Sequence, residues 1–233
     1  MPSWSGDGKR VAYMAQFGST IMGGTSLRAR LANGGGDDEL LLAPKDENGV
    51  PVTLTWPQWS PDGRYLVYVQ QSGPTGASVW IAPTSGDGKP QLLVKPETNL
   101  GKVAFARLSP DGHWLAYSAS DGRREEIFVT SFPSGTGRWQ ITRDGGTFPV
   151  WRGDNKEIYY IGYDSHLNAV AIHAHDGEVD AGKSESLFEV RNVFALGAPF
   201  DAAPDGRYFL VLTQPEVAEL PMMLVLNWTA EMK

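Results

Sequence analysis

The chain contains no cysteine among its 233 residues. This absence excludes disulfide bonds, thiol nucleophiles and thiolate metal sites. Long apolar runs are missing too: the longest have the length of a strand, so the sequence predicts no membrane-spanning segment in this chain. The first residues have neither a basic start nor an apolar core of the kind that secretory signals carry, and we expect no signal peptide.

Basic residues are the minority among the charged side chains. The chain has 20 Lys and Arg against 27 Asp and Glu, which gives a net charge of −7 and a pI of about 5.1. Such a chain lacks the excess of positive charge that binds the phosphates of nucleic acids, so we predict no nucleic-acid partner. Helical periodicity is scarce, whereas 27 glycines and 16 prolines are typical of many turns. All-β chains of this length commonly form one domain, and we expect residues 1–233 to do so.

The chain does contain a repeat built on a tight turn. Its clearest copy spans residues 59–68, with the sequence W-S-P-D-G-R-Y-L-V-Y. Pro61 presets φ for a turn, the Asp62 carboxylate can accept backbone N–H groups two residues on, and Gly63 tolerates a positive φ. The strand after the turn is apolar on both faces, which is typical of a strand between two packed layers.

Five copies of this marker turn divide the chain. Successive marker aspartates are 55, 49, 43 and 51 residues apart, close to the roughly 40–50 residues of a propeller blade repeat. Each interval contains strand patterns separated by hairpin signals, four strands to a blade. The sequence therefore predicts an all-β fold, a β-propeller of four-stranded antiparallel blades with about five blades present and both terminal blades incomplete. A fragment of a six- or seven-bladed propeller is favoured over a closed five-bladed ring. The marker residues are Asp7, Gly8, Asp62, Gly63, Asp111, Gly112, Asp154, Asp205 and Gly206.

The marker aspartates allow a catalytic or calcium-binding interpretation and a structural one. Because one aspartate recurs in each repeat on the same turn, the carboxylates would be spread around a ring and would not meet at one point. We therefore interpret them as turn residues, whose carboxylates accept hydrogen bonds from backbone N–H groups.

His173 and His175 form the one histidine cluster and lie on one face of a predicted strand. They could chelate a metal, but no third ligand follows at a fixed spacing, so solvated histidines at a hairpin edge are the favoured interpretation. The chain has no Gly-x-Ser-x-Gly nucleophile elbow. We accordingly predict no catalytic residue and no cofactor.

Aromatic residues also follow the repeat, and we expect them to form core between blades in preference to a binding cage. The residues concerned are Trp59, Tyr68, Tyr117, Trp151 and Tyr160. The innermost strands would offer a central channel few groups suited to catalysis. These candidates are Thr53, Thr55, Phe105, Arg107, Thr147, Phe148 and Phe200.

The marker turns resemble the TolB-type, WD-like propeller repeat over essentially the whole chain. The first copy departs from it at Gly6, and the fourth at Gly153 and Asn155, where a remodelled turn is expected. Residues 199–210, followed by 223–228, resemble the C-terminal propeller sensor of bacterial serine/threonine protein kinases. In that family a kinase domain and a membrane helix precede an external propeller, so the resemblance implies an extracytoplasmic, periplasmic location. This chain carries no kinase motif.

Two functions follow from these patterns. The first is a non-catalytic binding propeller, a kinase sensor or a TolB-like scaffold, which holds a protein, peptide or small ligand at its face or channel. Residues 17–26 and 96–101 are its candidate specificity loops. The alternative is a propeller-based hydrolase, or the accessory propeller of a prolyl-oligopeptidase-like peptidase. We favour the first and predict that the chain is not an enzyme, any kinase or peptidase activity lying in a domain outside it.

Overall fold

The computed structural model describes residues 2–16, 24–45, 48–72, 76–85, 88–98, 101–120, 124–175, 177–190 and 198–213. These residues form strands β1 to β18, and no helix occurs among them. Nothing in these ranges is a helix long and apolar enough to cross a membrane.

The strands form successive sheets in chain order, which we number as blades 1 to 5. Blade 1 contains β1 (Ser3–Trp4), β2 (Arg10–Gln16), β3 (Thr25–Leu31) and β4 (Glu39–Leu42). Blade 2 contains β5 (Leu54–Trp59), β6 (Tyr65–Ser72), β7 (Gly76–Pro83) and β8 (Gln91–Val94). Blade 3 contains β9 (Lys102–Leu108), β10 (Trp114–Ser120), β11 (Glu125–Ser131) and β12 (Trp139–Gln140). Blade 4 contains β13 (Thr147–Trp151), β14 (Glu157–Ile161), β15 (His166–His175) and β16 (Glu178–Glu189). The described part of blade 5 contains β17 (Phe200–Ala202) and β18 (Phe209–Val211).

Each blade is an antiparallel meander in which strands adjacent in sequence are paired. The predicted architecture, four-stranded antiparallel blades of a β-propeller, is confirmed. The last strand of blade 4 differs from expectation: the pattern predicts it only near residues 187–190, but it runs over Glu178–Glu189. Gly177, at φ 81°, allows the chain to reverse directly after β15. Only Val179 of β16 is buried, so this edge strand lacks the apolar alternation by which strands are recognised.

The hydrophobic core lies between neighbouring blades. Four clusters of buried side chains fill the four successive boundaries. The prediction that repeat aromatics form this core is confirmed, since all five are buried. Trp59 and Tyr68 lie between blades 1 and 2, Tyr117 between blades 2 and 3, and Trp151 and Tyr160 between blades 3 and 4.

Hydrogen bonds cross the first three blade boundaries at the inner strands. They hold each blade in register with the next, close to the propeller axis. The Trp59 N–H donates to Ser3 Oγ (3.2 Å), the Leu108 N–H to Gln58 Oε1 (2.9 Å), and the Trp151 Nε1–H to the Arg107 carbonyl oxygen (3.1 Å).

The marker turns of blades 1 to 3 share one hydrogen-bond pattern, seen clearly at Asp62. The Ser60 hydroxyl donates to Asp62 Oδ1 at 2.6 Å, and the same oxygen accepts the Arg64 N–H at 3.0 Å. Ser60 Oγ in turn accepts the N–H of Tyr65 at 2.9 Å. The pattern recurs at Asp7 with Ser5 and at Asp111 with Ser109.

The last two marker turns use other contacts. In the fourth turn Arg152 stands where the serine is elsewhere, and its guanidinium donates to both carboxylate oxygens of Asp154 at 2.8 Å. Asn155 occupies the glycine position with φ 63°, a conformation that asparagine tolerates better than most residues. In the fifth turn Ala203 offers no hydroxyl, and Asp205 Oδ1 accepts a backbone N–H at 3.0 Å. These contacts support a turn-stabilising role for the aspartates.

We predict that Asp62→Asn lowers stability at neutral pH in a pH-dependent way. Hydrogen bonds from the Ser60 hydroxyl and then from the Arg64 N–H hold the pKa of Asp62 at about 2, below its ordinary value of 3.8. The side chain is 44% exposed, so solvent screening limits the expected loss to about 1 kcal/mol. Because the folded-state pKa is depressed, this stability is present above the unfolded-state pKa and is lost as pH falls from about 4 through about 2.

Urea unfolding of both proteins over that pH range measures the effect. The two free energies of unfolding should converge in acid, and a difference that stays constant from neutral pH to about pH 2 would contradict this account. Asp205→Asn is the matched control: its turn has no serine hydroxyl, so we expect a smaller loss at neutral pH.

Candidate functional site

The inner strands of blades 2, 3 and 4 each contain a β-bulge at an equivalent position. In β5 the pairing register slips between Thr55 and Gln58, and β9 and β13 slip at matching places. A bulge adds a residue to one strand and turns its side chain in a new direction. One aromatic residue in each bulge has a left-handed backbone: Trp56 (φ 56°), Phe105 (φ 51°) and Phe148 (φ 57°).

These three rings, which we call the aromatic plug, contact one another between the inner strands. The ring centres of Phe105 and Phe148 are 4.0 Å apart, and Trp56 meets Phe105 edge-on at 5.0 Å. A cavity of only about 10 Å³ remains beside them. A bulky side chain at φ > 0 costs roughly 1–2 kcal/mol, so the surrounding blades hold three strained residues in place. Strain of this kind is typical of functional positions.

A cavity of about 230 Å³ lies on the marker-turn side of the plug. The penultimate residues of four inner strands line it: Gln58, Arg107, Val150 and Asp201, from blades 2, 3, 4 and 5. The repeat therefore brings four equivalent positions together, and three of them carry polar or charged side chains. We call this group the axial cavity.

The charge of the axial cavity is set by Arg107 and Asp201. Burial lowers the pKa of the Arg107 guanidinium, and the nearby Asp201 carboxylate opposes that shift. Arginine nevertheless stays charged at any pH of interest. A cation in such low-dielectric surroundings acts more strongly on an anionic group than one on the open surface.

Two threonine hydroxyls beside the plug add polar character to the inner strands. Thr55 Oγ1 and Thr147 Oγ1, each one residue before a plug aromatic, are buried and have no hydrogen-bond partner in the described part of the chain. Buried hydroxyls are usually satisfied because an unpaired one costs free energy.

The structure brings most of the predicted channel residues to this region. Thr55, Phe105, Arg107, Thr147 and Phe148 lie on the inner strands, and Thr53 directly precedes β5. Phe200 packs mainly in the core between blades 4 and 5, where it is 2% exposed.

Sequence reasoning missed Trp56, Gln58 and Asp201. The repeat contained the signal for all three. Trp56, like Phe105 and Phe148, stands six residues before the marker aspartate of its repeat. Gln58 and Asp201, like Arg107, stand four residues before the marker aspartate of their repeats.

The other predicted site residues lie elsewhere. His173 and His175 are exposed at the end of β15, and His175 Nε2 is 2.8 Å from Asp180 Oδ2. Among the residues described, no group of three or more His, Cys, Asp and Glu side chains could hold a metal ion. Of the two candidate loops, residues 17–23 and 99–100 lie outside the described residues, as do residues 223–228 of the segment that resembles the kinase sensor.

Comparison with solved structures identifies the fold. The chain is similar to TolB from Acinetobacter baumannii, with a TM-score of 0.62 and 17% identity over 91% of this chain and 48% of that one. It is also similar to an oligogalacturonate lyase in complex with manganese (TM-score 0.67, 13% identity, 91% and 61% covered) and to a prolyl endopeptidase (TM-score 0.52, 16% identity, 88% and 30% covered). No protein-family model and no curated protein matches the chain.

These likenesses establish a TolB-like propeller fold and nothing more specific. The chain spans about half the length of the Acinetobacter TolB, 48% of it. Identities of 13 to 17% assign no activity, substrate or partner. The expected TolB-type architecture is therefore confirmed.

The prediction that the chain is not an enzyme is wrong. It rested on the fold and on the few catalytic groups along the inner strands. The lyase and the prolyl endopeptidase are enzymes that contain the same propeller fold. The fold therefore gives no ground for excluding catalysis.

We predict that glycine is tolerated better than alanine at Phe105. Phe105→Ala removes the two ring contacts and keeps a β-carbon at φ 51°, whereas Phe105→Gly removes the ring and relieves the left-handed strain, by roughly 1 kcal/mol. The free energy of unfolding should thus be higher for Phe105→Gly than for Phe105→Ala.

The same pair of substitutions at Phe128 is the control. Phe128 is a buried phenylalanine of β11 without a positive φ, so there glycine should be worse than alanine by about 1 kcal/mol. Alanine more stable than glycine at both positions would show that the plug backbone is not strained.

Proposed function

We propose that the chain is a binding propeller that takes an acidic segment of a protein or peptide into the marker-turn end of its channel. One observation carries the proposal: the partly buried Arg107, beside Asp201, lines the axial cavity on the marker-turn side of the aromatic plug. Sites of this kind, concave and largely apolar with a few converging polar groups, are the usual location of ligands.

The dimensions favour an extended segment over a globular surface. About 230 Å³ accommodates one or two side chains. A carboxylate in the axial cavity could accept a charge-assisted hydrogen bond from the Arg107 guanidinium, which has five N–H donors.

Gln58 adds a second recognition group. Its Oε1 already accepts the Leu108 N–H at 2.9 Å, which fixes the orientation of the amide and leaves its NH₂ group to donate. A carboxylate or carbonyl oxygen of the ligand fits that donor. The arrangement therefore favours acceptor-rich segments.

The cellular role in this proposal is that of a TolB-like scaffold or of the C-terminal sensor of a bacterial receptor-type kinase. The resemblance of residues 199–210 and 223–228 supports the sensor role and, with it, an extracytoplasmic location. Residues 1–233 would act as one domain, and residues 17–26 and 96–101 would modulate its specificity.

We predict that acidic peptides bind more tightly than their neutral counterparts. The assay is fluorescence polarisation with labelled hexapeptides that carry central Asp and Glu residues, compared with the same peptides carrying Asn and Gln. Arg107→Gln should weaken binding of the acidic set by about tenfold or more, because it removes the charged partner of the carboxylate. Asp201→Asn should tighten it by about threefold, because it removes a competing negative charge.

Arg143→Gln is the matched control. It removes one positive charge from an exposed position near the opposite end of the inner strands and should leave binding unchanged. Circular dichroism and thermal unfolding must show that each variant is folded. Equal binding of acidic and neutral peptides, or unchanged binding by Arg107→Gln, would overturn the axial site. Cleavage of the peptides would favour the peptidase alternative.

The sensor role has its own test in the parent genome. The coding region that precedes Met1 should encode a kinase domain followed by a membrane helix. An unrelated gene there would refute the sensor role while leaving peptide binding to be decided by the assay above.

A further inference from the structure

A second and larger cavity lies between blades 2 and 3, at the end of the propeller away from the marker turns. Its volume is about 390 Å³, within the roughly 300–1,000 Å³ of small-molecule sites. One wall is formed by residues 94–97, which follow β8, and the other by side chains of β10, β11 and β12. We call it the interblade cavity.

An arginine forms a flat platform in the interblade cavity. The Arg138 guanidinium lies 3.5 Å from the centre of the Phe128 ring, and the Tyr117 ring stacks on Phe128 at 5.9 Å with an interplanar angle of 26°. Arg138 also forms a salt bridge of 2.8 Å with Glu97, and 39% of its side chain stays exposed. A guanidinium fixed in this way can stack on a planar ligand.

This platform is not a requirement of the repeat. The tyrosines equivalent to Tyr117 are Tyr13, Tyr68 and Tyr160, each six residues after its marker aspartate. The Tyr68 hydroxyl has no partner among the residues described, and the Tyr160 hydroxyl donates to Ser184 Oγ at 2.8 Å. The environment of the repeated tyrosine thus differs between blades, and the contact of Arg138 with Phe128 depends on residues of this blade.

The charges of the cavity leave two cations for a ligand. Both carboxylates that line it are engaged: Glu97 pairs with Arg138, and Glu126 accepts a hydrogen bond from the Thr142 hydroxyl at 2.5 Å. In the described part of the chain, Lys95 and Arg124 form no salt bridge. Arg124 instead lies 5.8 Å from the centre of the Tyr163 ring.

We propose that the interblade cavity binds a small organic anion with a planar body. The planar part stacks on the Arg138 guanidinium, and the acid group lies between Lys95 and Arg124. Val94, Pro96 and Ala119 supply the apolar wall. This site is separate from the axial cavity and does not depend on the peptide-binding role.

Indole-3-acetate is a suitable probe, and indole-3-acetamide is its neutral, isosteric counterpart. Isothermal titration calorimetry and saturation-transfer NMR should show binding of the acid at least about tenfold tighter than that of the amide. Lys95→Gln and Arg124→Gln should each weaken binding of the acid by about threefold or more, without altering the fold, because both side chains are exposed. Arg138→Gln should weaken binding of both compounds, since it removes the platform.

Two controls make the assignment specific. Lys183→Gln removes an exposed cation from β16 and should bind the acid as the wild type does. Arg107→Gln, in the axial cavity, should do so too, which separates a failure of this site from a failure of the peptide site. Equal binding of acid and amide, or full binding by the Lys95→Gln and Arg124→Gln double variant, would overturn the proposal.

Discussion

Burial between neighbouring blades is the constraint on which the rest of the structure depends. A four-stranded sheet with apolar residues on both faces cannot bury either face by itself, so each blade needs another beside it. The clusters around Tyr68, Tyr117 and Tyr160 provide that burial at successive boundaries. Hydrogen bonds between inner strands then fix how far one blade is shifted relative to the next. The packing at these boundaries therefore sets the positions of the side chains at each site.

The axial cavity is lined by residues from equivalent positions of the repeat. Equivalent positions of different blades lie close together at the axis. The residue types that differ between repeat copies at these positions therefore determine which polar and charged groups line the cavity. Arg107, Gln58 and Asp201 occupy the same position in different copies of the repeat, and in the folded protein they line one cavity. The bulges that place Trp56, Phe105 and Phe148 below it hold the backbone in a conformation that bulky residues avoid. The packing at the blade boundaries compensates for that strain.

The interblade cavity depends on residues of one boundary, the one between blades 2 and 3. Arg138 stacks on Phe128 there, and segment 94–97 closes the space from the side. The two cavities thus lie at different ends of the propeller and select ligands by different means: a partly buried cation in one, an exposed cationic platform in the other. Enzymes are among the proteins of similar fold.

The sequence by itself determined the blade architecture, the marker turns and the aromatic core, because each depends on residues close together in the chain or on a pattern that recurs. Pro61, Asp62 and Gly63 specify a turn whatever surrounds them, and Tyr68 has equivalents in Tyr117 and Tyr160. Only the tertiary structure decided which side chains meet across blades. Phe105 was identifiable as an inner-strand residue, but its contact with Trp56 and Phe148 depends on three bulges whose positions no local pattern marks. Arg138, which precedes β12, meets Phe128 within one blade, whereas its salt bridge with Glu97, which follows β8, depends on how blades 2 and 3 pack.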